Sequence, residues 1–171
     1  MKTLVLGGAR SGKSQHAECL ARETGKKLVY VATAQVFDQE MEARVALHKA
    51  RRDEQWTLVE SPTELHETLT RISSQDTCVL VDCLTLWLTN HLLDDSLNQA
   101  INQTVAALVQ QLQDLPGDTI FVSNEVGWGI VPMGELSRRF QDEAGRMNQQ
   151  FAAACDQVIL TVAGIPMTIK S

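Results

Sequence analysis

The sequence predicts an α/β fold: a mostly parallel sheet with helices on both faces and one antiparallel edge strand near the C-terminus. Three observations carry this. Short apolar runs alternate with longer segments of helical period. The runs Val79-Leu80-Val81 and Thr119-Ile120-Phe121-Val122 are β-branched and continuously apolar, as in strands buried on both faces. The last run, Met167–Lys170, follows Gly164-Ile165-Pro166 too closely for a crossover helix, so it turns back antiparallel at a sheet edge.

Strands are expected at Lys2–Leu6, Lys27–Thr33, Thr57–Glu60, Cys78–Asp82, Thr119–Ser123 and Gln157–Ala163. Helical patterns occupy Lys13–Glu23, Gln39–Arg52, Pro62–Ser73 and Gly134–Cys155, with a long stretch from Leu84 to Gln113 broken near Asp94-Asp95-Ser96. There is no internal repeat, low-complexity tract or linker, so residues 1–171 are expected to form a single nucleotide-binding domain with one sizeable core. In such sheets ligands gather at the carboxyl ends of the strands.

A formal net charge of −6 disfavours nucleic acid and anionic membranes as partners. An anionic ligand must then be held by local donors. Cys19, Cys78, Cys83 and Cys155 form no CxxC pair and no metal spacing with the four histidines; three sit in apolar runs as core thiols. The apolar start Leu4-Val5-Leu6 is too short for a signal peptide, and no stretch reaches membrane-spanning length, so a cytoplasmic location without a membrane anchor is expected.

After the first strand comes Gly7-Gly8-Ala9-Arg10-Ser11-Gly12-Lys13-Ser14, a complete GxxxxGK[ST] phosphate loop opening a helix. Its glycines permit a tight wrap with N–H groups turned inward, and the helix adds its positive N-terminus. Lys13 reaches the β and γ phosphates, and Ser14 offers a hydroxyl to Mg²⁺. The second metal ligand is expected from Asp82, which closes an apolar strand. A cap for the helix that follows is the alternative role for this aspartate.

In the Gln39–Arg52 segment, Arg44, Arg51 and Arg52 fall at i−4, i+3 and i+4 from His48. Neighbouring positive charge disfavours the imidazolium and leaves a neutral nitrogen able to attack phosphorus, with the arginines holding phosphate. On the residues alone, a solvated basic face with an incidental histidine is the simpler alternative. His16, His66 and His91 are read as structural, the last two in polar helix contexts. Beyond the strand Thr119–Ser123, Asn124-Glu125 lead into Val126-Gly127-Trp128-Gly129, a frame for a binding loop, and a helix bearing Arg138, Asp142 and Arg146 follows.

The succession GGARSGKS, YVATAQ, the His48 segment, VDCLTLWLTN, SNEVGWGIVP, RRFQDEAGRMNQ and AGIPMTIK closely resembles the bifunctional adenosylcobinamide kinase / adenosylcobinamide-phosphate guanylyltransferase family of cobalamin biosynthesis. The resemblance spans nearly the whole chain in order. It implies a RecA-like P-loop NTPase fold, a homotrimer, ATP and GTP as substrates, and adenosylcobinamide and its phosphate as acceptors. It implies two reactions: phosphorylation of the aminopropanol hydroxyl, then transfer of GMP from GTP to that phosphate with release of pyrophosphate. It further implies that His48 carries GMP covalently. The implied nucleotide contacts are Gly7 to Ser14, Ala32, Thr33, Ala34, Lys49, Ala50, Arg51, Arg52, Glu60 and Asp82. Where the family's segment often reads His-Arg-x-x-Arg-Pro, this chain has His48-Lys49-Ala50-Arg51-Arg52-Asp53.

Two other classes are set against this reading. One is a simple P-loop small-molecule kinase without a covalent intermediate. The other is a regulatory GTPase or non-catalytic binder, against which the missing Asn-Lys-x-Asp guanine-reading motif counts.

Overall fold

The computed structural model describes residues 1–35 and 55–171. Seven strands form one sheet: β1 (Lys2–Gly7), β2 (Lys27–Ala32), β3 (Trp56–Glu60), β4 (Thr77–Asp82), β5 (Asp118–Asn124), β6 (Gln157–Val162) and β7 (Ile165–Lys170). Among the described residues the helices are α1 (Lys13–Glu23), α2 (Leu65–Ile72), α3 (Leu84–Leu93), α4 (Ile101–Gln111) and α5 (Glu135–Ala154). The expected helix at Gln39–Arg52 lies outside the described residues.

The strand order is β3-β2-β4-β5-β1-β6-β7, parallel throughout except for the antiparallel β6–β7 pair. The expected edge strand is therefore present, and it begins at Ile165 rather than Met167. Its connection is a two-residue turn, Ala163 (φ 50°) and Gly164 (φ 82°). Positive φ at both central positions matches the twist of a tight hairpin. Pro166 is tolerated because an edge strand leaves one side of its backbone unpaired.

Alternation along the strands builds two cores, one on each side of the sheet. Leu4, Leu6, Val29, Val31, Val79, Val81 and Phe121 pack with apolar residues of α2, α3, α4 and α5. Val5, Leu28, Tyr30, Leu80, Ile120 and Val122 turn the other way, under Ala17 and Ala21 of α1. Phe121 and Phe151 meet edge-on with ring centroids 5.0 Å apart. Such a pair adds roughly 0.5–1.5 kcal/mol beyond the area it buries.

Two local expectations change and one is met. The Pro62–Ser73 helix starts three residues late, at Leu65, because Pro62 and Thr63 instead form a corner whose carbonyls accept from Asn90 and Trp87. The Leu84–Gln113 stretch breaks where expected, dividing into α3 and α4 around a turn in which Asp94 accepts from the backbone and hydroxyl of Ser96. The second change concerns His91, which sits in no polar surrounding. It is buried, its ring 4.5 Å from that of Trp87 and its Nδ1 2.9 Å from the Trp87 carbonyl oxygen. The reason is that α3 is buried around most of its circumference, with Leu84, Thr85, Trp87, Leu88, Asn90, His91 and Leu92 all shielded.

Candidate functional site

Strand pairing brings the site together. Ala32 stands opposite both Glu60 and Asp82, and Gly7 stands opposite both Asn124 and Thr161. The carboxyl ends of six neighbouring strands thus form one edge, where residues more than a hundred positions apart become neighbours.

The phosphate loop leaves β1 at this edge. Ser11 N–H donates to the Gly8 carbonyl at 3.2 Å, and Gly164 N–H of the β6–β7 turn donates to the Ser11 carbonyl at 2.8 Å. Gly12 precedes α1 with φ 94°, and a Cβ there would come within 3.2 Å of Gly164 Cα. Glycine alone meets both the positive φ and the close approach. No side chain caps the first turn of α1, whose outward N–H groups and dipole then suit an anion. Lys13 Nζ donates to the Gly8 carbonyl at 3.1 Å, folding the ammonium over the loop. Burial lowers its pKa from the ordinary lysine value, opposed by Cys83 and Asp82. Beneath the loop, the hydroxyls of Ser11 and Thr161 are buried with no hydrogen-bond partner among the described residues.

The β2–β4 corner is locked by a reciprocal pair. Thr33 Oγ1 donates to the Cys83 carbonyl at 2.7 Å and accepts from the Cys83 N–H at 2.8 Å. Asn90 Nδ2 donates to the carbonyls of Thr33 and Pro62, both at 2.8 Å, clamping Ala32-Thr33-Ala34 against the corner after β3. Asp82 does not cap α3. The capping position is Cys83, which makes no side-chain cap bond, while Asp82 Oδ2 accepts from the Tyr30 hydroxyl at 3.0 Å. The Asp82 carboxylate acts electrostatically on Lys13 and so lies near the phosphate loop. Its oxygens and the Ser14 hydroxyl are the kind of donors that Mg²⁺ would take.

Beyond β5 the chain is fixed by a buried polar ring. Ser123 Oγ donates to Asn148 Oδ1 at 2.7 Å, and Asn148 Nδ2 donates to the Asn124 carbonyl at 3.2 Å. Asn124 N–H in turn donates to Thr85 Oγ1 at 2.7 Å. Glu125 N–H donates to the Gly7 carbonyl at 3.0 Å, joining this segment to the start of the phosphate loop. Asn124 Oδ1 is buried with no partner among the described residues. Past Glu125, the β5–α5 loop and α5 enclose a cleft of about 520 Å³.

Of the residues expected to bind nucleotide, Gly7 to Ser14, Ala32 to Ala34, Glu60 and Asp82 meet on this edge. His48, Lys49, Ala50, Arg51 and Arg52 lie outside the described residues, as does Arg44. Sequence reasoning passed over the clamp at Asn90 and the closure of Thr85, Ser123 and Asn148 into a ring. A polar residue in an otherwise apolar helix was the one available signal for Asn90.

The profile of the family "Cobinamide kinase / cobinamide phosphate guanyltransferase" matches residues 3–169. The chain is 52% identical over 170 residues to the "Bifunctional adenosylcobalamin biosynthesis protein CobP" of Pseudomonas aeruginosa, covering 99% of this chain and 98% of that one. It is 42% identical over 182 residues to the "Bifunctional adenosylcobalamin biosynthesis protein CobU" of Escherichia coli, covering 99% of this chain and 100% of that one. The structure of the RadB recombinase superposes with a TM-score of 0.51 at 17% identity, over 93% of this chain and 73% of that chain, a likeness of P-loop NTPase fold alone. Matched along nearly its full length by the profile and by both curated relatives, the chain belongs to the cobinamide kinase / cobinamide phosphate guanyltransferase family.

Proposed function

We propose that this enzyme phosphorylates the aminopropanol hydroxyl of adenosylcobinamide and then transfers GMP from GTP to the phosphate through a covalent intermediate on His48. The observation that carries this reading is the phosphate loop, with Lys13 and Asp82 converging on it in a chain of this family.

In the kinase step the acceptor hydroxyl oxygen attacks the γ-phosphorus, the bond to the β,γ-bridging oxygen breaks, and the hydroxyl proton is lost. Loop N–H groups, the α1 N-terminus and Lys13 hold the phosphates in line and offset charge on the bridging oxygen. Ser14 and Asp82 would hold Mg²⁺, which supplies further charge neutralisation when bound. In the guanylyl step a neutral imidazole nitrogen of His48 attacks the α-phosphorus of GTP, and pyrophosphate leaves. An oxygen of adenosylcobinamide phosphate then attacks the same phosphorus, the N–P bond breaks, and adenosylcobinamide-GDP forms. Two in-line displacements retain configuration at phosphorus. Ala32, Thr33, Ala34, Glu60 and Lys49 to Arg52 contact the nucleotide in this reading.

A single domain, assembled as a cytoplasmic homotrimer, completes the proposal. Self-association is supported by Ile165, Met167 and Ile169, which alternate along β7 and are each more than half exposed. Among the described residues no helix is long and apolar enough to cross a membrane.

Intact mass after incubation with GTP and Mg²⁺ tests the mechanism. The wild type should gain one GMP in an acid-labile, alkali-stable linkage, and His48→Asn should gain none while retaining much of its kinase activity. A His48→Asn protein that converts the phosphate to the GDP form at the normal rate would refute covalent transfer at this residue.

A further inference from the structure

We propose that the cleft between the β5–α5 loop and α5 seats the body of the cobinamide acceptor, with the backbone at Gly145 as its floor. The assignment rests on the two-step reading above and gives its acceptor a place. The cleft holds about 520 Å³ and is lined by Gly127 and Val131 of the loop and by Arg138, Asp142, Gly145 and Gln149 of α5. Steps of four, three and four residues put those α5 positions on one helix face.

The chemistry of the walls matches a broad apolar macrocycle rimmed by carboxamides. Arginine N–H groups donate to amide carbonyls, the Asp142 carboxylate accepts from amide N–H groups, and Gln149 does both. The exposed apolar residues Trp128, Ile130 and Val131 adjoin the cleft and offer the flat contact that a macrocycle too large for 520 Å³ requires. The walls are built before the ligand arrives. Arg138 Nη1 donates to the Pro132 and Met133 carbonyls at 3.2 and 2.6 Å, and Gln141 Nε2 donates to the Val126 carbonyl at 3.0 Å. The cleft also lies within reach of the chemistry. Glu125 N–H is bonded to the Gly7 carbonyl at the start of the phosphate loop, and Gly127 is only two residues on, at most about 7 Å of chain.

Gly145 is the most telling residue. It sits inside the twenty-residue helix α5, where glycine is less favourable than alanine, yet a Cβ placed on it would meet nothing within 4 Å among the described residues. No described element requires the missing side chain. The space it leaves opens into the cleft, where a ligand can lie against helix backbone.

The test compares Gly145→Ala and Gly145→Leu with the wild type in four measurements. These are thermal stability, GMP incorporation into the protein from GTP alone, KM for cobinamide in the kinase step, and mass in solution. Gly145→Ala should melt at or above the wild-type temperature and incorporate GMP to the same extent, with KM for cobinamide raised about fivefold or more. Gly145→Leu should raise KM about a hundredfold or abolish saturation. An unchanged KM in a folded Gly145→Ala protein overturns the proposal, whether or not the leucine variant folds. So does a change of mass in solution that accompanies the KM effect, which would make the cleft a contact between copies. A wild type that does not phosphorylate cobinamide defeats the functional reading itself, whereas normal wild-type turnover with unaffected variants defeats only the cleft.

Discussion

Replacing Asn90 removes the clamp that joins the ends of β2 and β3, and its cost can be worked from the two hydrogen bonds involved. Both run from Nδ2 to backbone carbonyls at 2.8 Å, one to the buried Thr33 oxygen and one to the half-buried Pro62 oxygen. A buried acceptor stripped of its donor costs about 1–3 kcal/mol, and one that water can reach costs about 1 kcal/mol. Asn90→Leu conserves volume while removing both donors, so about 2–4 kcal/mol of stability should be lost. At roughly 2–4 °C per kcal/mol for a domain of this size, the melting temperature should fall by about 4–16 °C. Urea unfolding should show the midpoint moving with little change in slope. Because the clamp also sets Ala32-Thr33-Ala34, KM for nucleotide should rise in the folded fraction. An Asn90→Leu protein within about 0.5 kcal/mol of the wild type, the scale of a neutral surface change, would refute the clamp.

Lys13→Ala should lower both kinase and guanylyl-transfer rates about a hundredfold or more, since both reactions use the same loop; a kinase rate near wild type would sink the shared site. Asp82→Asn can still accept from the Tyr30 hydroxyl, so its stability should stay within about 1 kcal/mol of the wild type while the Mg²⁺ concentration for half-maximal rate rises. A variant that is merely less stable, with an unchanged Mg²⁺ dependence, would remove Asp82 from the metal site. Thiol titration of the native protein near pH 8 should find one fast group, the exposed Cys19. Burial pushes the Cys78 thiol up to about 11 and those of Cys83 and Cys155 up to about 12, so these three should react only on unfolding.

The phosphate loop was legible in the sequence because its function is local: eight consecutive residues carry the wrap, the helix start, the lysine and the hydroxyl. The strands were legible for a similar reason. Burial on both faces forces continuous apolar runs such as Val79-Leu80-Val81, and the short gap Gly164-Ile165-Pro166 before Met167 leaves no room for a crossover. Periodicity also predicted α1 to the residue, from the lysine that opens it to Glu23. What periodicity does not contain is strand order, because an apolar strand reads the same in the middle of a sheet wherever it lies. Only the order β3-β2-β4-β5-β1 sets Glu60, Ala32, Asp82, Asn124 and Gly7 along one edge. The same holds for polar groups whose partners are distant in the chain. Asn90 reads as an interruption of an apolar helix, and Asn148 as part of a charged one. Their roles arise when packing brings buried backbone carbonyls within reach, 57 residues away for Thr33 and 24 for Asn124. A buried carbonyl must find a donor, and tertiary structure decides which one.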